Sequence, residues 1–145
     1  MLVYFLEGTH PDLKGRFLAD IWAFSDKNIE QTHDFIQWIF PLDEPSKAVW
    51  HAPVLIDEEI YDILDSAKAK ENIIISQKWF LRFLINTDAW LVPRNHNHRR
   101  VSRMIKSIRL LHSDQAADQC ISMLLELAID KEFSSKGVVE FWKSC

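Results

Sequence analysis

The sequence predicts an all-α, compact multi-helix domain of about six or seven helices. Three observations lead there. Apolar side chains recur at three- and four-residue spacing in one segment after another. The chain holds only three glycines in 145 residues, too few for a turn-dense β architecture or for Gly-rich phosphate loops. Its prolines, at 11, 41, 45, 53 and 93, fall between the helical stretches and not within them. A chain of this length buries roughly 68–70% of the surface its unfolded form exposes, enough for a core without staples. Residues 1–145 therefore read as a single domain.

Taken in order, "MLVYFLEG" is apolar but short, with no basic lead and no small-residue cleavage site, so it reads as a segment packed on the core. After the turn "HPDLKG" a first helix is predicted from about Arg16 to Phe24, with Phe17, Ile21 and Phe24 at helical spacing. Ser25 or Asp26 caps a second, predicted to run through Phe40 and to end at Pro41, because the residue before proline avoids helical φ/ψ. "THDFIQWIFP" then belongs to one helix, apolar nearly all round, with Asp34 and Gln37 as its main polar positions. "LDEPSKAVWHAP" reads as a loop. Asp57 caps the next helix, whose stripe is Ile60, Ile63, Leu64 and Ala67, and "NIIISQKWFLRFLI" follows as another, capped by Asn72.

"NTDAWLVPRNHN" connects to the most legible helix, from about His98 to Leu111. There Val101, Met104, Ile105, Ile108 and Leu111 lie within roughly 120° of one another, and Arg99, Arg103 and Lys106 lie opposite. Ser113 or Asp114 opens a further helix with Ala116, Ala117, Cys120, Ile121, Leu124, Leu127 and Ala128 inward. A last short helix after Gly137 carries Val138, Phe141 and Trp142.

Composition narrows the function classes. No apolar run approaches the ~18–20 residues that span a bilayer, so membrane insertion is not expected. Cys120 and Cys145 lack the spacing partners of a zinc or redox site, which fits a reducing, cytoplasmic setting. No nucleophile elbow, P-loop or cofactor motif is present, so neither enzyme activity nor a cofactor is expected. Charge is asymmetric. Residues 1–72 carry 14 acids and 6 bases, residues 73–145 carry 7 acids and 11 bases, and the net charge is −4.

Three clusters are candidates for function. His33 and Gln37, four apart on the predicted helix and flanked by Asp34, present donors and acceptors beside Trp38, the makeup of a small-ligand pocket. The plainer reading, a polar network that fixes helix packing, is preferred. In "NHNH", His96 and His98 are two apart with no carboxylate or Cys completing a local set, so no metal is expected. Asn95 or Asn97 is better read as the helix cap. The basic stripe is the third. Asn97, Arg100 and Arg103 lie at and after a helix N-terminus, where free N–H groups favour an anion, and nucleic acid would use the same charges. Against that, Arg100 lies about 100° from Arg99, towards the apolar boundary. It is expected to be the structural arginine, partly buried on a carboxylate or loop carbonyl, with Arg99 and Lys106 exposed. Pairing of Arg100 and Arg103 with the acidic helix at 57–65 is one way to achieve this.

Beyond the residues' own chemistry, "HDFIQWIFPL" with Glu30 and "APVL" resembles a motif of the opioid growth factor receptor conserved domain. "NHNHRRVSRMIKSIRLL" is similar to that family's second signature, and "FLEGTHPDLKGR" to its N-terminal segment. Arg99 and Phe35 depart from the usual pattern. The resemblance implies an all-helical domain without an established enzymatic activity, and it supplies a receptor name with no mechanism attached. The expectation is a non-catalytic binding or interaction module, with His33, Asp34, Gln37, Trp38, Asn95, His96, Asn97, Arg100 and Arg103 as candidate ligand-binding residues. Its partner would be an unknown peptide, protein or small anionic ligand. The alternative is an anion- or nucleic-acid-binding domain using helix 98–111. The sequence leaves the oligomeric state open.

Overall fold

The structure, a computed structural model, describes residues 2–145. Among these there are nine helices and no strand: α1 Leu2–Leu6, α2 Leu18–Trp22, α3 Asp26–Gln31, α4 Ile36–Ile39, α5 Asp57–Leu64, α6 Ala67–Asn86, α7 His96–Leu111, α8 Asp114–Asp130 and α9 Lys136–Ser144. α7 is the central element and packs on α5, α6, α8 and α9. Its predicted stripe of Val101, Met104, Ile105, Ile108 and Leu111 is wholly removed from solvent. The α8 stripe is buried too, except that Leu127 is only half covered. No helix of the described residues is long and apolar enough to cross a membrane.

Two helices more than the upper expectation arise from specific residues. The N-terminal apolar segment is itself helical, with Leu2, Val3, Phe5 and Leu6 buried. It is tied down by Asn72, whose buried amide donates to the Leu6 carbonyl at 2.9 Å. Asn72 is therefore not the cap of α6. That helix begins five residues earlier, where Ser66 accepts from the Ala69 N–H at 3.0 Å and donates to the Glu7 carboxylate at 2.7 Å. The residues gained, Ala67 to Glu71, are strong helix formers, and of them only Ala69 is buried. Ala67 accordingly opens α6 and is exposed instead of completing the α5 stripe.

The second additional helix comes from a break. The helix expected from residue 26 to Phe40 is two helices, α3 and α4, separated at Thr32–Phe35. Ser25 caps α3 as expected, accepting from the Asn28 N–H. α2 is shorter than the predicted 16–24, because the Phe17 N–H is held by the Asp20 carboxylate at 2.8 Å and the Phe17 ring stays exposed. At α5 the cap is Ile56, with Asp57 in the first turn.

The connection from α6 to α7 is anchored by aromatics. Trp90 is buried and donates to the carbonyls of Leu84 (2.9 Å) and Thr87 (3.0 Å), while the His98 ring meets the Trp90 carbonyl at 2.7 Å. The Trp142 indole reaches the His98 carbonyl at 3.3 Å and docks α9 on the same cluster.

Candidate functional site

The break between α3 and α4 is where the candidate residues meet. Asn95 caps α7 by accepting from the Asn97 N–H at 2.9 Å. One turn on, Arg100 is 6% exposed and reaches across to the α3–α4 segment. Its guanidinium donates to the Ile29 carbonyl at 2.8 Å and to the Thr32 carbonyl at 2.6 Å, with longer contacts to Asn97 Oδ1 and His33 Nδ1, both 3.4 Å. It also lies over the Phe35 ring, 5.3 Å from the centroid. In a continuous helix the Ile29 carbonyl would accept from the N–H of residue 33. Arg100 takes that acceptor, and the chain turns. Burial lowers the Arg100 pKa to about 10, partly offset by Glu30, so the group stays protonated at neutral pH.

Asn97, fully buried, donates its amide to both oxygens of Glu30, at 3.2 and 3.4 Å. The outer oxygen of the same carboxylate meets His96 Nε2 at 2.5 Å. His33, exposed, lies edge-on to His96 with ring centroids 5.5 Å apart. Burial, then the positive Arg100 and the neighbouring His33, hold the His96 pKa below the ordinary imidazole value despite Glu30. Glu30, His33, His96, Asn97 and Arg100 thus form one cluster, buried at the arginine and open at the two imidazoles.

The expected pairing of His33 with Gln37 on one helix face does not occur. His33 precedes α4 and points to solvent, whereas Gln37 is 4% exposed and its Oε1 has no protein partner. Asp34 belongs to a different cluster. It accepts from Arg16 at 2.9 Å and pairs with Lys14; Arg16 also donates to Asp12 at 2.7 Å. Asp12 in turn accepts from the backbone N–H groups of Lys14 and Arg16, closing a turn in which Gly15 takes a positive φ of 78°. These cations hold the Asp34 carboxyl below its usual range, against the cost of burial, which is the largest influence on it. Between this cluster, the half-buried Trp38 and loop residues Val49 and His51 lies a cleft of about 20 Å³. That volume admits one water. It is no chamber for a small ligand.

The basic stripe is also turned inward. Arg103 donates Nε to the Phe40 carbonyl at 2.8 Å, and Ser107 donates to the Pro41 carbonyl at 2.8 Å, so α7 also holds the C-terminal end of α4. Burial lowers the Arg103 pKa to about 10, opposed by Glu44. Among the described residues no ion pair joins α7 to α5, so the expected route of pairing with residues 57–65 is replaced by main-chain carbonyls. Arg99 is exposed, but Lys106 is half covered and lies over the Phe141 ring at 5.4 Å. With Arg100 and Arg103 committed to carbonyls, the anion and nucleic-acid reading loses its main donors and has no support. His96 and His98 diverge, one toward Glu30 and one into the aromatic cluster. Sequence reasoning passed over the anchoring roles of Asp12 and Arg16. Their one local signal is the Pro-Asp…Gly-Arg turn.

Fold and site together define an all-helical domain with a buried arginine clamp and no enclosed chamber at its candidate residues. Residues 12–89, more than half of the chain, match the family model described as the opioid growth factor receptor (OGFr) conserved region, and the chain belongs to that family. It is similar to the opioid growth factor receptors of Mus musculus and Homo sapiens, each 27% identical over 77% of this chain. The rat receptor is 26% identical over the same share. The chain spans only about a fifth of these relatives, 21% of the mouse protein and 20% of the human one. No solved structure matches. The matched residues include Glu30, the α3–α4 break and Trp38, and they end before α7.

Proposed function

We propose that this chain is a non-catalytic interaction module that recognises a peptide or protein segment where the N-terminus of α7 meets the α3–α4 break. The observation that supports this reading is the division of the cluster into two parts. Arg100 and Asn97 are buried and hold backbone and carboxylate, while His33, His96 and part of Glu30 stay at the surface as two imidazole edges and an acceptor. The cleft beside Trp38 has room for one water, which favours recognition over the surface and not inside a pocket. The relatives' name, opioid growth factor receptor, adds a receptor role, and so a ligand or protein partner. A hydrolytic role finds no support, because among the described residues no Ser, Thr or Cys side chain is hydrogen-bonded to the His96–Glu30 pair. Two free cysteines, one of them buried, suit a cytoplasmic setting.

Selection of a displayed peptide library against the parent chain, followed by affinity measurement on a His33→Ala/His96→Ala variant, tests the site. The selected peptides are expected to bind the variant at least ~10-fold more weakly, a loss of about 1.4 kcal/mol. Equal affinity for parent and variant removes the site from the proposal. The opioid growth factor of the relatives' name is not expected to saturate the chain below ~1 μM in calorimetry, about −8 kcal/mol. Saturation below that level would carry the relatives' named ligand over to this chain.

A further inference from the structure

Given the docking of a partner at the α3–α4 break proposed above, we infer that the feature recognised in that partner is an amide group, the adjoining C=O and N–H of a main chain or of an Asn or Gln side chain. His33 supplies the donor and His96 the acceptor. Each ring is fixed by a protein group that can play only one part in a hydrogen bond.

At His33 that group is Arg100. A guanidinium carries donors and no acceptor. Its Nη2 lies 3.4 Å from His33 Nδ1, so Nδ1 receives the hydrogen and the ring's own proton sits on Nε2. At His96 the group is Glu30, whose carboxylate only accepts. Its oxygen is 2.5 Å from His96 Nε2, too close for two facing lone pairs, so Nε2 carries the proton. Burial, with Arg100 and His33 adding to it against Glu30, holds the His96 pKa below the ordinary imidazole value. The ring is therefore neutral at pH 7, and Nδ1 is left as an acceptor.

Among the described residues the remaining nitrogens, His33 Nε2 and His96 Nδ1, have no hydrogen-bond partner. The two nitrogens of an imidazole point nearly away from each other, so each free one faces away from the group that fixes its ring. Both residues are exposed, and the rings stand edge-on with centroids 5.5 Å apart. The surface thus offers one donor beside one acceptor. A carboxylate would meet the lone pair of His96. A cation would meet the proton of His33 with Arg100 behind it. An amide matches both, its C=O on His33 Nε2 and its N–H on His96 Nδ1. An extended chain can present the pair from a single residue, as it does to a neighbouring strand.

Two measurements test this. Long-range proton–nitrogen correlation spectra of the isotope-labelled chain at about pH 7.5 read the tautomers directly, with no variant needed. Both rings are expected to carry the proton on Nε2. A proton on Nδ1 of either ring overturns the inference whatever the chain binds. The second measurement uses the tightest peptide from the displayed library, resynthesised with one change at a time. Each main-chain amide becomes an ester, which removes the N–H, and each Asn or Gln becomes its acid. One change is expected to weaken binding to the parent roughly tenfold, about the most that a neutral hydrogen bond contributes. The same change should cost less than about twofold in His96→Ala, where its partner is already gone. Sensitivity to an ester assigns the amide to the main chain, and sensitivity to an acid assigns it to a side chain. Circular dichroism checks that the variant folds as the parent does. If the unmodified peptide binds His33→Ala/His96→Ala as tightly as the parent, the docking proposal itself fails. If binding needs both histidines but no amide change is coupled to His96, or only the loss of a Ser or Thr hydroxyl is, the docking site stands and the amide inference falls.

Discussion

Replacing Arg100 by Ala is the perturbation that most directly probes the clamp. The change removes the donors on the Ile29 and Thr32 carbonyls, now at 2.8 and 2.6 Å, and the cation over Phe35. Each carbonyl left without a donor costs about 1–3 kcal/mol, and the cation–π contact contributes roughly 0.5–2 kcal/mol. Water entering the space vacated by the side chain will satisfy part of this, and an expensive buried charge is removed at the same time. The net expectation is a loss of about 2–4 kcal/mol, out of the 5–15 kcal/mol typical of a domain. At roughly 2.1 cal/mol/K of unfolding entropy per residue, that lowers Tm by about 7–13 °C. Urea unfolding followed by tryptophan fluorescence, with Arg99→Ala as the control expected within ~0.5 kcal/mol, supplies the measurement. Arg100→Lys should fall between, since a point charge cannot reach both carbonyls with a fork. If Arg100→Ala unfolds at the parent's urea midpoint, the clamp does not hold the break and the reasoning fails.

Three further outcomes follow from the same structure. His96 has a folded pKa below its unfolded value, so the fold favours its neutral form; stability is full above about pH 6.5 and declines as pH falls through that value. The slope of stability between pH 7 and 5 should flatten in His96→Gln, and an unchanged slope would exclude His96 as its source, leaving His112, which is depressed in the same direction. Asn72→Ala, which removes the donor to the Leu6 carbonyl, should cost about 1–3 kcal/mol, with α1 amides exchanging faster than those of α7. Burial drives the Cys120 thiol up to about 12, so alkylation of the native chain near pH 8 should mark Cys145 first, and mass mapping that finds Cys120 labelled equally would contradict its burial.

Legibility followed the range of the interaction. α7 and α8 were readable because an apolar face repeats every three to four residues and a Ser or Asn stands at each start, features that act within one helix. The burial of Arg100 was readable for a similar reason, from its angle on the helix. That a loop carbonyl could receive it was also readable; which carbonyls was not, because a guanidinium satisfied by carbonyls leaves no complementary charge to find in the chain. The candidate residues proved to be three groups with different roles: the imidazole–glutamate–arginine cluster, the Asp34 cluster with Arg16, and Arg103 on the Phe40 carbonyl.

By itself the sequence determined that this protein is helical, where its long central helices run, and which family motif it carries, since periodicity and caps are local properties of the chain. Only the tertiary structure decided that "THDFIQWIFP" is not one helix. Thr32–Phe35 carries three polar residues, Thr32, His33 and Asp34, but no proline or glycine, so nothing in the local sequence forbids a further helical turn. The break is made by a guanidinium 71 residues from the Ile29 carbonyl and 68 from that of Thr32, which takes the acceptor the helix would have used. A charge buried without a carboxylate partner needs those carbonyls more than the helix needs one more bond.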